Sequence, residues 1–174
     1  IMDGLVGSEM CIRDRDNLQL MVPFCRTPEE GSLVTGLLNE KGVGPASGTD
    51  LFVMVELPSN VIEADRFIEM MDLSGGSIGS NDLVQTVYAV SRDDLEGYQN
   101  PIDARSPSVK AMIRDIVGKF NSKGMEIGIC GQAPSDFPDE FPAFLVDCGI
   151  TSISVTPDTA VAVRGTVAEA EKRA

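Results

Sequence analysis

Glu56 closes the apolar run 51–57, and Asp82 follows the glycine-rich run 75–80, so each acid stands where a strand gives way to a helix. Adjacent strands lie about 4.8 Å apart, and two carboxylates at one height can therefore share a cation. Oxygen-only ligation, without histidine or paired thiolates, suits Mg²⁺ or Mn²⁺ better than zinc. Taken singly, Glu56 reads as a solvated strand end and Asp82 as a cap for the helix from Leu83. Taken together, a cation pair stands level with that plainer account. The stretch Ile-Gly-Ser-Asn-Asp (78–82) also offers backbone N–H groups at a helix start, a favourable place for an anion. Arg92 is the nearest cation that could meet such an anion, although Asp93 and Asp94 beside it offer an ordinary surface ion pair. Cys130 ends a strand in Gly-Ile-Cys-Gly. A thiol with an ordinary pKa of about 8.5 becomes a useful proton donor or acceptor near a metal or cation, but is otherwise a small buried hydrophobe. Cys25, beside Arg26, competes for that part, and Cys148 reads as core.

The composition narrows the partners. With 14 basic and 27 acidic side chains the net charge is −13, which argues against binding nucleic acid or an anionic membrane through a basic surface. The chain has no histidine, so it can build no His-containing zinc site, no Ser-His dyad and no phosphohistidine. Its four cysteines show neither metal-ligand spacing nor a disulfide framework, which favours a reducing cytoplasm. No apolar run reaches the roughly 18 residues of a membrane span. Residues 1–15 lack sustained periodicity; the run 6–15 has the look of translated adapter sequence, the alternative being an amphipathic lead-in helix. Fold reasoning therefore starts at Asp16, with one domain expected over 16–174.

Short apolar strands alternate with amphipathic helices from there on. Strands are expected at 18–24, 51–57, 75–80, 125–130 and 151–155. Thr27-Pro28-Glu29-Glu30 opens the first helix, with Leu33, Val34, Leu37 and Leu38 as its apolar stripe and Gly42 as its stop. Ser59 or Asn60 caps a second helix that buries Ala64, Phe67, Ile68 and Met71. A helix from Ser106-Pro107 turns Val109, Met112, Ile113, Ile116, Val117 and Phe120 inward. Further helices follow at 141–148 and from Thr156-Pro157. Such β-α alternation implies a parallel sheet. Polar residues sit just past successive strand ends, as in a barrel, and no glycine-rich first turn marks a dinucleotide-binding sheet. At 174 residues the chain is short for a whole (β/α)8 barrel of roughly 250.

The segments Met-Val-Pro-Phe-Cys-Arg-Thr (21–27), Val-Glu-Leu-Pro-Ser-Asn (55–60), Ile-Gly-Ser-Asn-Asp-Leu-Val-Gln (78–85), Ser-Arg-Asp-Asp (91–94) and Gly-Ile-Cys-Gly-Gln (128–132) make the chain recognisable. It resembles the carboxyl-terminal PEP/pyruvate-binding barrel of the PEP-utilising enzymes, a family that includes phosphoenolpyruvate synthase, pyruvate, phosphate dikinase and enzyme I of the sugar phosphotransferase system. Pro-Phe-x-Arg-Thr, Pro-Ser-Asn and Ser-Val-Thr-Pro-Asp-Thr (154–159) favour the synthase branch. The resemblance implies an α/β fold, a partial (β/α)8 TIM barrel of about the last five β/α units. It implies Glu56 and Asp82 as Mg²⁺ ligands, and Gly79, Ser80 and Asn81 as the loop holding pyruvate or PEP. Arg92 then meets the substrate phosphate, and Cys130 exchanges a proton with carbon 3 of the enolate. Arg26 receives no role.

The synthase reaction converts ATP, pyruvate and water to AMP, PEP and phosphate. The resemblance therefore also implies an ATP site and a phosphohistidine domain elsewhere in a full-length, homo-oligomeric parent. A dikinase or enzyme I fragment, or a non-catalytic acidic domain binding an anionic metabolite, are the alternatives. An isolated arc with two open edges and an uncovered interior face is expected to be marginal, oligomeric or inactive.

Overall fold

The computed structural model describes residues 18–91 and 102–173; the leader 1–15 and Arg92 lie outside them. Five strands form one parallel sheet: β1 (Gln19–Val22), β2 (Asp50–Val55), β3 (Gly75–Gly79), β4 (Glu126–Cys130) and β5 (Ser152–Ile153). Their order is simply β1-β2-β3-β4-β5, every neighbouring pair parallel. A doubly wound sheet reverses its strand order at a switch point. Here the order never reverses, so the crossovers step one strand at a time in one direction. The result is an arc of a (β/α)8 barrel, as the alternation of elements predicts.

The period-2 alternation of the strands separates two faces. Leu51, Val53, Val55, Ile78, Ile127 and Ile129 point to the helices and are almost fully buried. They pack with Phe67, Met71, Val109, Ile113, Ile116, Phe120, Phe141 and Leu145 in one continuous core. Each large apolar side chain so buried contributes about 1.5–3 kcal/mol. Gly76 is the small residue of this face: a Cβ there would lie 3.0 Å from the Phe120 ring. On the opposite face a Cβ at Gly75 would strike the Phe52 ring, one at Gly79 would strike Glu56, and one at Gly128 would strike Ser152. Gln19, Met21, Phe52, Ser77, Gly128 and Ser152 line an open groove of about 200 Å³ along this interior face.

The helices follow the expected starts with three differences. In α1 (Pro28–Glu40) the Thr27 hydroxyl accepts the Glu30 N–H at 3.1 Å, the expected cap. Of its expected stripe, Val34 and Leu38 do pack against the core, but the other half turns outward. Leu33 and Leu37 are 72% and 59% exposed, whereas Pro28, Gly31 and Thr35 face inward. Size explains this, because Gly31 lets Met71 come so close that a Cβ would sit 2.5 Å from its sulfur. Small residues can carry a contact that a hydrophobicity pattern assigns to leucines.

The second helix is split into α2 (Pro58–Ile62) and α3 (Ala64–Met71), and neither Ser59 nor Asn60 caps it; Leu57 stands at the start. Ala64, Phe67 and Met71 are buried as expected. Beyond α4 (Ser80–Tyr88) come α5 (Pro107–Ser122), α6 (Ala133–Asp136) and α7 (Phe141–Cys148). The last helix, α8 (Ala160–Glu171), begins later than Thr156-Pro157. The Ser135 hydroxyl accepts the Thr156 N–H at 2.9 Å, holding those residues in a turn instead. No helix among the described residues is long and apolar enough to cross a membrane.

Candidate functional site

Glu56 is the residue directly after β2 and keeps only 7% of its surface exposed. Register carries it level with Gly79, and Gly79 pairs with Cys130 on β4. Carboxylate, glycine and thiol therefore stand side by side across three strands at their carboxyl ends. Between outer neighbours the span is about twice the 4.8 Å strand spacing. Because Gly79 has no side chain, the Glu56 side chain can fold over it, its Cγ lying 2.7 Å from where a Cβ would stand.

The Glu56 side chain is held from several sides. Its Oε2 accepts the backbone N–H of Phe24 at 2.8 Å. Phe24 adopts a left-handed backbone (φ +52°), which is uncommon for a non-glycine residue. The Thr86 hydroxyl, nearly two turns into α4, donates to the Glu56 carbonyl at 2.7 Å. Burial pushes the Glu56 carboxyl above its ordinary value. The Phe24 N–H opposes that shift, while the adjacent Asp82 adds to it through charge and direct carboxyl–carboxyl contact.

Asp82 lies in the first turn of α4, where a negative charge is favoured by the helix dipole. Its Oδ1 accepts from Gln85 at 3.4 Å. Among the described residues neither Glu56 nor Asp82 takes part in an ion pair. Two carboxylates pressed together without a cationic side chain form a set of hard oxygen donors. They fit a divalent cation such as Mg²⁺ or Mn²⁺. No cluster of three or more His, Cys, Asp or Glu side chains occurs among the described residues.

The loop joining β3 to α4 is tied to the end of β4. Ser80, fully buried, donates its hydroxyl to the Cys130 carbonyl at 3.0 Å. Asn81 accepts the Gln132 N–H on its Oδ1 at 3.3 Å. Gly131 between them has φ +102°, and a Cβ there would meet the Ser80 hydroxyl at 2.3 Å. The Cys130 thiol is half-buried and lies 3.6 Å from the Met54 sulfur on β2, toward the barrel interior. Ser80 and Asn81 also border a cleft of about 420 Å³ shared with Gln85, Gln132, Asp136 and Phe137.

The structure thus brings together Glu56, Gly79, Ser80, Asn81, Asp82 and Cys130; Arg92 lies outside the described residues. Arg26, exposed, forms an i,i+4 ion pair with Glu30 at 3.0 Å, an arrangement worth little in water. Sequence reasoning passed over Thr86, the Phe24 amide and the part played by Asn60. Only Asn60 left a trace, in the Pro-Ser-Asn that follows Glu56.

Gly79→Ala tests this geometry directly. The new Cβ would lie 2.7 Å from Glu56 Cγ and 2.9 Å from its Oε1. Either the carboxylate moves or the strand does. The expected result is Mn²⁺ affinity reduced about 10–100-fold with native circular dichroism, a loss of the size produced by mispositioned ligands. Undiminished affinity would count against a metal at this pair.

The cysteines give a second check. Cys25, Cys130 and Cys148 are free. Cys25 is almost fully buried, and burial pushes its thiol above the ordinary value, reinforced by Glu30 and opposed by Arg26. A proton held more tightly folded than unfolded favours the fold below the ordinary value. That contribution fades as pH rises from there through the raised one. Peptide mapping after brief iodoacetamide treatment at pH 8 should find Cys130 labelled ahead of Cys25. The opposite order would contradict the burial pattern.

Fold and site together define a segment of an α/β barrel with a carboxylate pair at the carboxyl ends of its strands. Comparison with known proteins makes the class specific. Residues 8–172 match the family described as PEP-utilising enzyme, PEP-binding domain, and the chain belongs to that family. It is 45% identical over 158 residues to a phosphoenolpyruvate synthase of Aquifex aeolicus, covering 90% of this chain and 18% of that protein. A phosphoenolpyruvate synthase of Helicobacter pylori is 41% identical over 170 residues, covering 97% of this chain and 20% of that one. The chain therefore spans about a fifth of the length of the curated relatives it matches.

Among solved structures, RipC from Yersinia pestis superposes with a TM-score of 0.61 at 10% identity, over 93% of this chain and 70% of that one. A citrate lyase beta subunit from M. tuberculosis, complexed with oxaloacetate and magnesium, does so with a TM-score of 0.58 at 12% identity, over 86% and 60%. These likenesses support the partial barrel.

Proposed function

We propose that this segment is the pyruvate/PEP site of a phosphoenolpyruvate synthase, working on a divalent metal and a three-carbon 2-oxo acid. The observation that carries this reading is the buried Glu56 carboxylate against Asp82, with Cys130 beyond Gly79 on the same rim of strand ends. The family match and the synthase relatives support it.

A Mg²⁺ or Mn²⁺ ion at Glu56 and Asp82 would supply Lewis-acid stabilisation of the enolate oxygen. The chain's own residues do the rest. Glu56 and Asp82 bind the cation, and the loop of Gly79, Ser80 and Asn81 fixes where a bound oxo acid can lie. Cys130 takes a proton from the methyl carbon of pyruvate, or returns it in the PEP-to-pyruvate direction, as a positioned acid–base group. Arg92 is assigned to the substrate's phosphate. With no histidine in the chain, the phosphoryl group must come from a phosphohistidine of another part of the full-length enzyme, charged from ATP there. The reaction uses a soluble anion, in keeping with a cytoplasmic setting; a homo-oligomeric parent is part of the same proposal.

Calorimetry with oxalate, a flat dianionic enolate mimic, tests the reading on a full-length synthase carrying this segment. Binding is expected only with Mg²⁺ or Mn²⁺ present. Metal-independent binding of oxalate would favour a non-catalytic acidic domain instead, and no binding at all would refute the site.

A further inference from the structure

Asn60 is 2% exposed and stands at the third position of α2, where its side chain reaches back to Leu57 at the start of that helix and also beyond the helix. Its Oδ1 accepts two backbone N–H groups, from Glu56 at 3.1 Å and Leu57 at 3.0 Å. Its Nδ2 donates to the Cys25 carbonyl at 2.8 Å. One side chain thus bolts the residue after β2 to the loop after β1, 35 residues earlier. Ser59 adds a parallel tie, donating its hydroxyl to the Arg26 carbonyl at 2.9 Å. Between the two anchored carbonyls and β1 lies Phe24, the residue whose left-handed backbone aims its N–H at Glu56 Oε2. Such a conformation persists only where its surroundings enforce it.

We infer that Asn60, assisted by Ser59, is a positioning residue for metal binding: it holds the 24–26 loop so that the Phe24 amide fixes the Glu56 carboxylate toward Asp82. The clasp acts on both ends of the same hydrogen bond, through the Glu56 main chain on one side and the Phe24 loop on the other. With Oε2 engaged by the amide, the carboxylate cannot rotate freely. The dyad is then preorganised, and no ordering cost falls on cation binding. Without the clasp, Phe24 can relax from φ +52° and withdraw its N–H. This inference rests on the proposed role of Glu56 as a metal ligand.

The test uses a full-length synthase carrying this segment, with Mn²⁺ as the probe, read by electron paramagnetic resonance, and with amide hydrogen exchange at Phe24. Four proteins are compared: the parent, Glu56→Gln, Asn60→Ala and Ser59→Ala. Asn60→Ala should weaken Mn²⁺ binding about 10–100-fold, the range for partners that orient metal ligands, and should raise the exchange rate at Phe24. Ser59→Ala should do both to a smaller extent.

If Glu56→Gln leaves Mn²⁺ affinity unchanged, the metal-site reading fails. If Glu56→Gln loses the metal while Asn60→Ala and Ser59→Ala keep full affinity and slow Phe24 exchange, the clasp is overturned and the site stands. A merely structural role for Asn60 would lower the melting temperature without moving Mn²⁺ affinity in the folded protein. Should Asn60→Ala fail to fold, Ser59→Ala decides alone, and unchanged affinity and exchange there overturn the inference.

Discussion

Glu56→Gln in a full-length synthase carrying this segment is expected to lower kcat by on the order of 10³-fold, equivalent to about 4 kcal/mol of lost electrophilic stabilisation. The substitution is nearly isosteric, and its amide oxygen can still accept the Phe24 N–H that Glu56 Oε2 accepts at 2.8 Å. Its amide nitrogen can donate to Asp82, satisfying a contact that two carboxylates can make only by sharing a proton or a cation. Removing a buried charge beside a like charge relieves both burial and repulsion, the two effects that raise the Glu56 carboxyl above its ordinary range. The melting temperature should therefore hold or rise while turnover collapses. Steady-state kinetics beside a thermal melt separates these outcomes. Retained turnover would remove Glu56 from the metal site, and a collapse of both quantities would make its role structural.

Cys130→Ser should suppress the exchange of pyruvate methyl protons with deuterated solvent by about 10²–10⁴-fold, the usual share of a positioned acid–base group. The exchange is followed by loss of the methyl proton resonance. The change spares the main-chain contact to Ser80, because that bond ends on the Cys130 carbonyl. It also leaves Gly131 in its left-handed conformation, fixed by the backbone and not by the thiol. What changes is proton affinity, since an alkyl hydroxyl gives up its proton far less readily than a thiol does. Undiminished exchange would transfer the acid–base role to another group and leave Cys130 as a packing residue against Met54.

The parallel order and the placement of Glu56, Asp82 and Cys130 were legible in the sequence because both depend on strong local signals. Apolar runs of strand length end in residues that burial disfavours, and in a parallel sheet those ends gather on one rim. The Thr27 cap was legible for the same reason, since the bond to Glu30 spans three residues. The face of α1 was not, because closeness to Met71 depends on the absence of a Cβ at Gly31, and smallness carries no hydrophobic period. Nor was the part played by Asn60. A cap and a cross-strand clasp use the same amide, and only the arrival of Cys25 from a distant loop decides between them. The Phe24 amide leaves no mark in the sequence, because every residue except proline offers one.

The unreversed strand order has a consequence for how the site comes into being. Each strand pairs with the one made before it: Asp50 meets Gln19, Gly75 meets Phe52, Glu126 meets Gly75 and Ser152 meets Gly128. Contacts of such modest sequence separation carry a small closure penalty and form early. As the polypeptide leaves the ribosome, β1, β2 and β3 can dock in succession, and α4 follows them directly. The two carboxylates can therefore meet while the codon for Cys130 is still untranslated. The carboxylate half of the site is an early product of synthesis, and the thiol joins a surface already shaped to receive it.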